Sequence, residues 1–335
     1  MTNNSEIAPS TIMRNAYAVY PSFAMLAGMQ LDLFTPLKDK PMDPESLAIV
    51  LKVKESKLSP LLYSLVTAGL LNVEDGIFSN TVESDTYLVK GLPTYMGSLN
   101  EFFNDLWHAT LNTAESIRTD EPKSKHDWST LSEEELLKYF RSQYPSSLRS
   151  GMQLAQKIDF RNTKSLIDVG GGAGGLAVGI CGAYPEIEVT VADLPQVVSI
   201  ADKFISEAGL SKMITTVGVD LINSEIEGSY DVAVLRALIQ VMKPAYAKKT
   251  LKNVFQALEP GGQIHILGCI LDDSRLSPAV SMAFSLVFLN VYEEGGAYTE
   301  QQHRDWLNEA GFTDISVEIG ITSEGGIVSA RKPKT

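Results

Sequence analysis

The chain has 335 residues, of which 44% are hydrophobic, and a formal net charge of −13. That length can bury a full core and suits two domains, while the acidic surplus leaves no basic excess for phosphates and argues against a nucleic-acid partner. Cys181 and Cys269 lie in apolar helix or strand patterns and read as buried thiols in a reducing cytosol, which argues against a disulfide or metal site.

Met1 to Ser10 is polar and lacks the basic-then-apolar layout of a signal peptide, and no apolar run has bilayer length, so a cytoplasmic protein without a membrane partner is expected. Residues 12–38 read as helix, apolar around much of the circumference (Ala16, Phe23, Leu26, Met29, Leu33), a surface that a partner subunit would cover. Asp43-Pro44-Glu45 has the form of N-cap, N1 and N2 of a short helix. Leu58, Leu61, Leu62 and Leu65 share one face of the next, which stops at Gly69. Leu70–Val73 and Ile77–Ser79 flank Glu74-Asp75-Gly76, a hairpin signal. Three helices and a β-wing make a winged helix over residues 1–95. A DNA-reading helix needs Arg, Lys, Asn or Gln outward. Leu58 to Ala68 offers Ser, Pro, Tyr and Thr, so dimerisation is the expected role.

Residues 96–160 read as mostly helical, with Trp107, Trp128, Tyr139, Phe140 and Tyr144 among their aromatics and a polar loop over Thr119–Ser129. Such a segment can link domains and line a pocket, although plain core accounts for most of the aromatics.

From Lys164 onward strands alternate with helices, with strands expected at 165–169, 189–192, 214–217, 231–236, 263–268, 314–319 and 326–331. Only Gly320–Gly326 separate the last two, which forces an antiparallel pair. Thr299-x-x-Gln302 has the form of a capping box opening the helix before them. After the first strand comes Gly170-Gly171-Gly172-Ala173-Gly174-Gly175, and after the second Asp193, placed to hold a ribose. Gly170-x-Gly172-x-x-Gly175 satisfies the dinucleotide fingerprint, whereas Gly170-x-Gly172-x-Gly174 suits S-adenosylmethionine. The closing hairpin favours the second. The expected fold is α/β: a Rossmann-like class I methyltransferase domain over 161–335, its seven-stranded sheet mainly parallel with a C-terminal antiparallel hairpin, preceded by the mostly helical winged-helix domain.

The segments LIDVGGGAGGLAVGICGAYPEIEVTVADLPQVV, LEPGGQIHILGCILDD and YTEQQHRDWLNEAGF, with the winged helix before them, resemble the small-molecule O-methyltransferases of the caffeic acid and acetylserotonin type over nearly the whole chain. The resemblance implies a homodimer that uses S-adenosylmethionine on a small-molecule substrate. It implies cofactor contacts from Asp168, Gly170, Gly172 and Gly174, from Asp193 and Leu194, from Asp220 and Leu221, and from Arg236. It also implies departures. Gln240 stands where the family has its histidine base, and Gly268 and Ala297 stand where two glutamates orient that base.

A hydroxyl attacks a sulfonium methyl poorly unless its proton leaves, and a carboxamide cannot accept that proton. An acceptor that is already nucleophilic needs only alignment. The preferred expectation is therefore thioether S-methylation of a methylthio-hydroxybutyrate-like acid, as in bacterial dimethylsulfoniopropionate synthesis. Hydroxyl methylation with an unrecognised base, cofactor binding without methyl transfer, and nicotinamide chemistry are the alternatives. Gln240, Tyr144 and His108 are the candidate catalytic residues. Trp107, Arg149, Asn290 and Tyr292 are the candidate substrate contacts, with Arg141 a further cation for a carboxylate. His126 is expected to be solvated in its polar loop, His265 to be structural and His303 to be exposed.

Overall fold

The computed structural model describes residues 8–92, 94–97, 99–126, 130–320 and 325–334. Trp128, the first seven residues and 321–324 of the final link lie outside the described residues. The chain divides into two compact units, Met1–Asn104 and Asp105–Thr335.

The first unit holds α1 (Ser10–Tyr17), α2 (Tyr20–Gln30), α3 (Pro44–Leu51), α4 (Glu55–Thr67), β1 (Leu71–Glu74), β2 (Ile77–Asn80) and α5 (Val82–Tyr87). The single helix expected over 12–38 is two helices. Pro21 sits in the first turn of α2, where its missing N–H costs nothing, and it prevents α1 from running through. Asp32, at φ +52°, closes the segment. Asp43 caps α3 by accepting the Ser46 N–H at 2.8 Å. Leu58, Leu62 and Leu65 of α4 are buried with Phe34, Leu47 and Phe78 in one core. Asp75 and Gly76 both take positive φ, as a tight two-residue hairpin requires.

Three helices follow: α6 (Leu99–Thr110), α7 (Thr113–Thr119) and the 25-residue α8 (Glu133–Lys157), opened by a capping box between Ser132 and Glu135. Next come β3 (Ser165–Val169), α9 (Gly175–Ala183), β4 (Glu188–Asp193), α10 (Pro195–Glu207), β5 (Ile214–Gly218) and β6 (Tyr230–Arg236). After a 3-10 turn at Ile239–Val241, the chain continues with α11 (Pro244–Ala257), β7 (Leu258–Gly268), β8 (Ile270–Leu271), α12 (Ala279–Val291), β9 (Tyr298–Thr299), α13 (Glu300–Ala310), β10 (Thr313–Ile319) and β11 (Gly326–Arg331).

The main sheet has the order β10-β11-β7-β6-β3-β4-β5. β11 pairs antiparallel with both neighbours, and the remaining ladders are parallel. Successive side chains on a strand point to opposite faces, and both faces here are covered. Ile167, Ala233, Leu235, Ile264 and Ile266 join the core under α11 and α13, while Leu166, Val232, Val234 and Leu267 pack with Leu176, Ala177 and Ile180 of α9. Burial on both faces is why these strands are apolar throughout. His265 belongs to the second face, against Phe160, with Nδ1 2.8 Å from Ser329 Oγ. Burial pushes its pKa down to about 4. His303 was expected on the surface but is buried, one turn into α13, where Nδ1 lies 2.9 Å from the Thr299 carbonyl oxygen. Among the described residues no helix is long and apolar enough to cross a membrane.

Candidate active site

Inside the second unit, a cavity of about 480 Å³ opens at the carboxyl ends of β3, β4 and β6, the position where α/β sheets bind ligands. Its floor is the glycine turn after β3. Gly172 takes φ +55°, and a β-carbon there would lie 2.7 Å from Phe140 of α8. Glycine therefore both permits the turn and keeps the backbone open to a ligand. The Gly172 N–H donates to Asp193 Oδ2 at 2.8 Å, and the Leu194 N–H donates to Oδ1 at 2.7 Å. These bonds orient the carboxylate at the end of β4, while burial raises its pKa. Each oxygen keeps a second lone pair, as a diol ligand requires.

Asp168, the penultimate residue of β3, is fully buried on the cavity wall, and neither carboxylate oxygen makes a hydrogen bond of ordinary geometry. Burial pushes its pKa up to about 7, with Arg236 opposing the rise and Asp193 adding to it. An unsatisfied buried carboxylate is costly and calls for a cation. Arg236, at the end of β6, is aimed by α8, donating from Nε to Ser150 Oγ at 3.0 Å and from Nη2 to Ser146 Oγ at 2.9 Å. Beside it, Ala237 lines the wall at φ +55°, a left-handed conformation that costs a side-chain-bearing residue on the order of 1 kcal/mol. Asp220 accepts the N–H groups of Ile222 and Asn223. Hydrogen bonding, from the Asn223 side chain first, holds its pKa below the usual value.

The other end of the cavity is aromatic. His126 stands edge-on between Tyr139 and Tyr292, its ring centre 6.1 Å and 6.0 Å from theirs. Burial lowers the His126 pKa, with Asp105 opposing, and pushes the Tyr139 hydroxyl up to about 12 and Tyr292 well above its ordinary value. Phe140, Gln143 and Tyr144 continue the wall along α8, and Tyr144 also packs on Phe204 at 4.7 Å. Among the described residues the buried Gln143 Nε2 has no hydrogen-bond partner. Lys125 pairs with Glu293 and Lys243 with Glu294 at the rim.

Asp168, Gly170, Gly172, Asp193, Leu194, Asp220, Leu221, Arg236, Tyr144 and Tyr292 thus line one cavity. Seven other expected site residues, Arg141 included, are absent from its wall among the described residues. Gly174, at φ +74°, starts α9 from behind the turn. His108 is exposed on α6, and Trp107 and Arg149 lie off the cavity. Asn290 is fully buried, its amide oxygen accepting the Ser116 hydroxyl at 2.8 Å and its nitrogen donating to Thr113 Oγ1 and the Leu286 carbonyl, so it ties α12 to α7. Gln240 turns away, its Oε1 accepting the Cys269 N–H at 2.8 Å. Arg141 is committed elsewhere: it clamps Glu207 at 2.7 Å and 3.0 Å and lies over the Phe204 ring.

Sequence reasoning missed His126, Tyr139 and Gln143. Tyr139, Phe140, Gln143, Tyr144 and Ser147 are spaced as one helix face, a signal present in the sequence. His126 had none, because its place is fixed by backbone bonds from Ser124 and His126 N–H to the Asn290 and Val291 carbonyls at the end of α12.

The model of an O-methyltransferase domain matches residues 123–313, and that of an O-methyltransferase dimerisation domain matches residues 13–90. The chain belongs to the O-methyltransferase family. It is 28% identical to a 3-hydroxy-5-methyl-1-naphthoate 3-O-methyltransferase of Streptomyces sahachiroi, over 97% of this chain and 95% of that one. It is 26% identical to a tetracenomycin polyketide synthesis 8-O-methyl transferase of Streptomyces glaucescens, over 100% of both. Human N-acetylserotonin methyltransferase, solved in complex with S-adenosylmethionine, shares the fold with a TM-score of 0.81 at 23% identity, covering 98% of this chain and 99% of that one. The enzyme is an S-adenosylmethionine-dependent methyltransferase, and the cavity fits that cofactor. Its wall offers the buried carboxylates of Asp168 and Asp193 and the apolar side chains of Leu194, Leu221 and Ile222.

Proposed function

We propose that the enzyme methylates a hydroxyl group on a small aromatic molecule, of the size of a substituted naphthoate or a polyketide ring system. The observation that carries this reading is the aromatic half of the cavity, in which a titratable imidazole, His126, stands between two tyrosine rings. Flat aromatic walls suit a flat aromatic acceptor, and a hydroxyl nucleophile requires a group able to take its proton. The relatives named for naphthoate and tetracenomycin O-methylation support the same substrate class. When bound, the cofactor supplies a methyl group on a positively charged sulfur. Asp193 holds the ribose, Asp168 balances charge at the methionine end, and Arg236, fixed by Ser146 and Ser150, closes that side of the site.

Methylation of a thioether, as in methylthio-hydroxybutyrate, remains the second reading. Gln240 in place of a histidine supports it, and His126 on the cavity wall removes the argument that no base is at hand. Incubating the protein with S-adenosylmethionine and either a hydroxynaphthoic acid or methylthio-hydroxybutyrate separates the two. A product one methyl group heavier from the first, with release of S-adenosylhomocysteine, is the expected result. A sulfonium product from the second alone would replace this reading.

The working unit is a homodimer in this reading. α1 and α2 leave Met13, Tyr17, Tyr20 and Phe23 exposed, within the residues matched by the dimerisation model. Light scattering after size-exclusion chromatography should give twice the chain mass, and a monomer would count against it.

A further inference from the structure

We infer that His126 is the proton acceptor of the methyl transfer, and that Gln240 is a structural residue outside the reaction. This rests on the hydroxyl-methylation reading above.

Gln240 is withdrawn by geometry. Its Oε1 accepts the Cys269 N–H at 2.8 Å, and its backbone carbonyl accepts the Gly296 N–H at 2.9 Å. A β-carbon at Gly268 would lie 2.4 Å from the same Oε1, so the glycine makes the room that this orientation needs. A carboxamide held in this way neither reaches the cavity wall nor accepts a proton near neutral pH.

The remaining groups of the wall narrow the choice. Tyr139 and Tyr292 are protonated, because burial raises both. The rim carboxylates Glu293 and Glu294 are engaged by Lys125 and Lys243. Asp168 and Asp193 belong to the cofactor end. Among the described residues, His126 is the one histidine on the wall. It is held by two ring contacts and by the backbone pairing of its segment with the end of α12. The groups that face it are Asp105 of α6, Tyr139 of α8, Tyr292 after α12, and the neighbouring Lys125–Glu293 pair. Burial outweighs Asp105 and keeps the imidazole neutral near pH 7, the form that can take a proton.

The step balances without a further reactant. The acceptor oxygen loses its proton to a ring nitrogen of His126 and forms the new O–C bond. The S–C bond breaks with its electron pair left on sulfur, and the imidazolium then returns the proton to solvent.

The test compares the wild-type enzyme with His126→Gln on two probes: a hydroxynaphthoic acid with a weakly acidic hydroxyl, and a nitro-substituted one already ionised at assay pH. Wild-type kcat on the first probe should rise with pH through the imidazole titration and then level. His126→Gln should lose that limb and about 100-fold or more in kcat. On the ionised probe it should stay within about fivefold of wild type, because no proton remains to be removed. Affinity for S-adenosylhomocysteine by calorimetry should be unchanged, which also reports folding. Equal losses on both probes, or a retained limb with a loss under about tenfold, would overturn the assignment while leaving hydroxyl methylation intact. Wild-type enzyme that methylates neither probe but does methylate methylthio-hydroxybutyrate would overturn the functional reading and the base together.

Discussion

The side-chain oxygen of Gln240 occupies space that a β-carbon at position 268 would need, the two points being 2.4 Å apart. Gly268 and Gln240 therefore form a matched pair, and Gly268→Ala should dislodge Oε1 from the Cys269 N–H. The expected cost is about 1–2 kcal/mol, the loss of one hydrogen bond plus overpacking. Urea denaturation of Gly268→Ala, Gln240→Ala and the double variant should show losses that fail to add, since both singles break the same bond. Additive losses would mean that the two residues are independent.

Gly172→Ala should damage both fold and cofactor site. A side chain there faces positive φ and the Phe140 ring at 2.7 Å, a strain of about 1–3 kcal/mol. Weaker binding of S-adenosylhomocysteine and a lower melting temperature are expected together. Wild-type affinity would show that the turn does not approach the ligand.

Asp168 gives a pH signature. Burial pushes its carboxyl up to about 7 in the folded chain, from an ordinary value near 3.8. Between roughly pH 4 and 7 the folded chain thus binds a proton that the unfolded chain has released, so this residue makes stability fall as pH rises through that window and level off above it. Asp168→Asn should flatten the profile and stabilise the ligand-free protein at pH 8 by about 2–4 kcal/mol, with little change at pH 4. The ammonium group of a bound ligand favours the ionised carboxylate, so S-adenosylhomocysteine binding near pH 6 should release protons from the wild type and none from the variant. Calorimetry in two buffers of different ionisation enthalpy would reveal it, and identical proton release would remove Asp168 from the site.

Gln143 presents a buried amide nitrogen with no partner among the described residues. Leaving such a donor unpaired costs about 1–3 kcal/mol, so Gln143→Met should match or exceed wild-type stability. If an acceptor atom of the substrate completes the bond, the same variant raises KM for the substrate while cofactor affinity holds. A variant that is less stable and unchanged in KM would assign Gln143 to packing.

Much of the strand-end wall of the cavity could be read before any coordinates. The glycine turn, Asp193 after the second strand of the sheet and Arg236 after the fourth each sit at a strand terminus, and a parallel sheet brings strand termini together without further information. The hairpin before the last strand and the capping box at Thr299 were legible for similar local reasons. The acceptor end behaved differently. The direction of the Gln240 side chain depends on Gly268 and Cys269 at the end of β7. Asn290 was expected among the substrate contacts as part of the loop around Tyr292, yet a helix presents neighbouring residues in different directions.

The sequence by itself determined the mainly parallel sheet with its antiparallel end and the mostly helical N-terminal domain, because periodicity and glycine placement act over a few residues. Only the tertiary structure decided which side chains line the aromatic end of the cavity. His126 reaches the cavity through backbone hydrogen bonds to a helix end far along the chain. Such long-range pairing follows from how packed elements settle against one another, and no local pattern of residues encodes it.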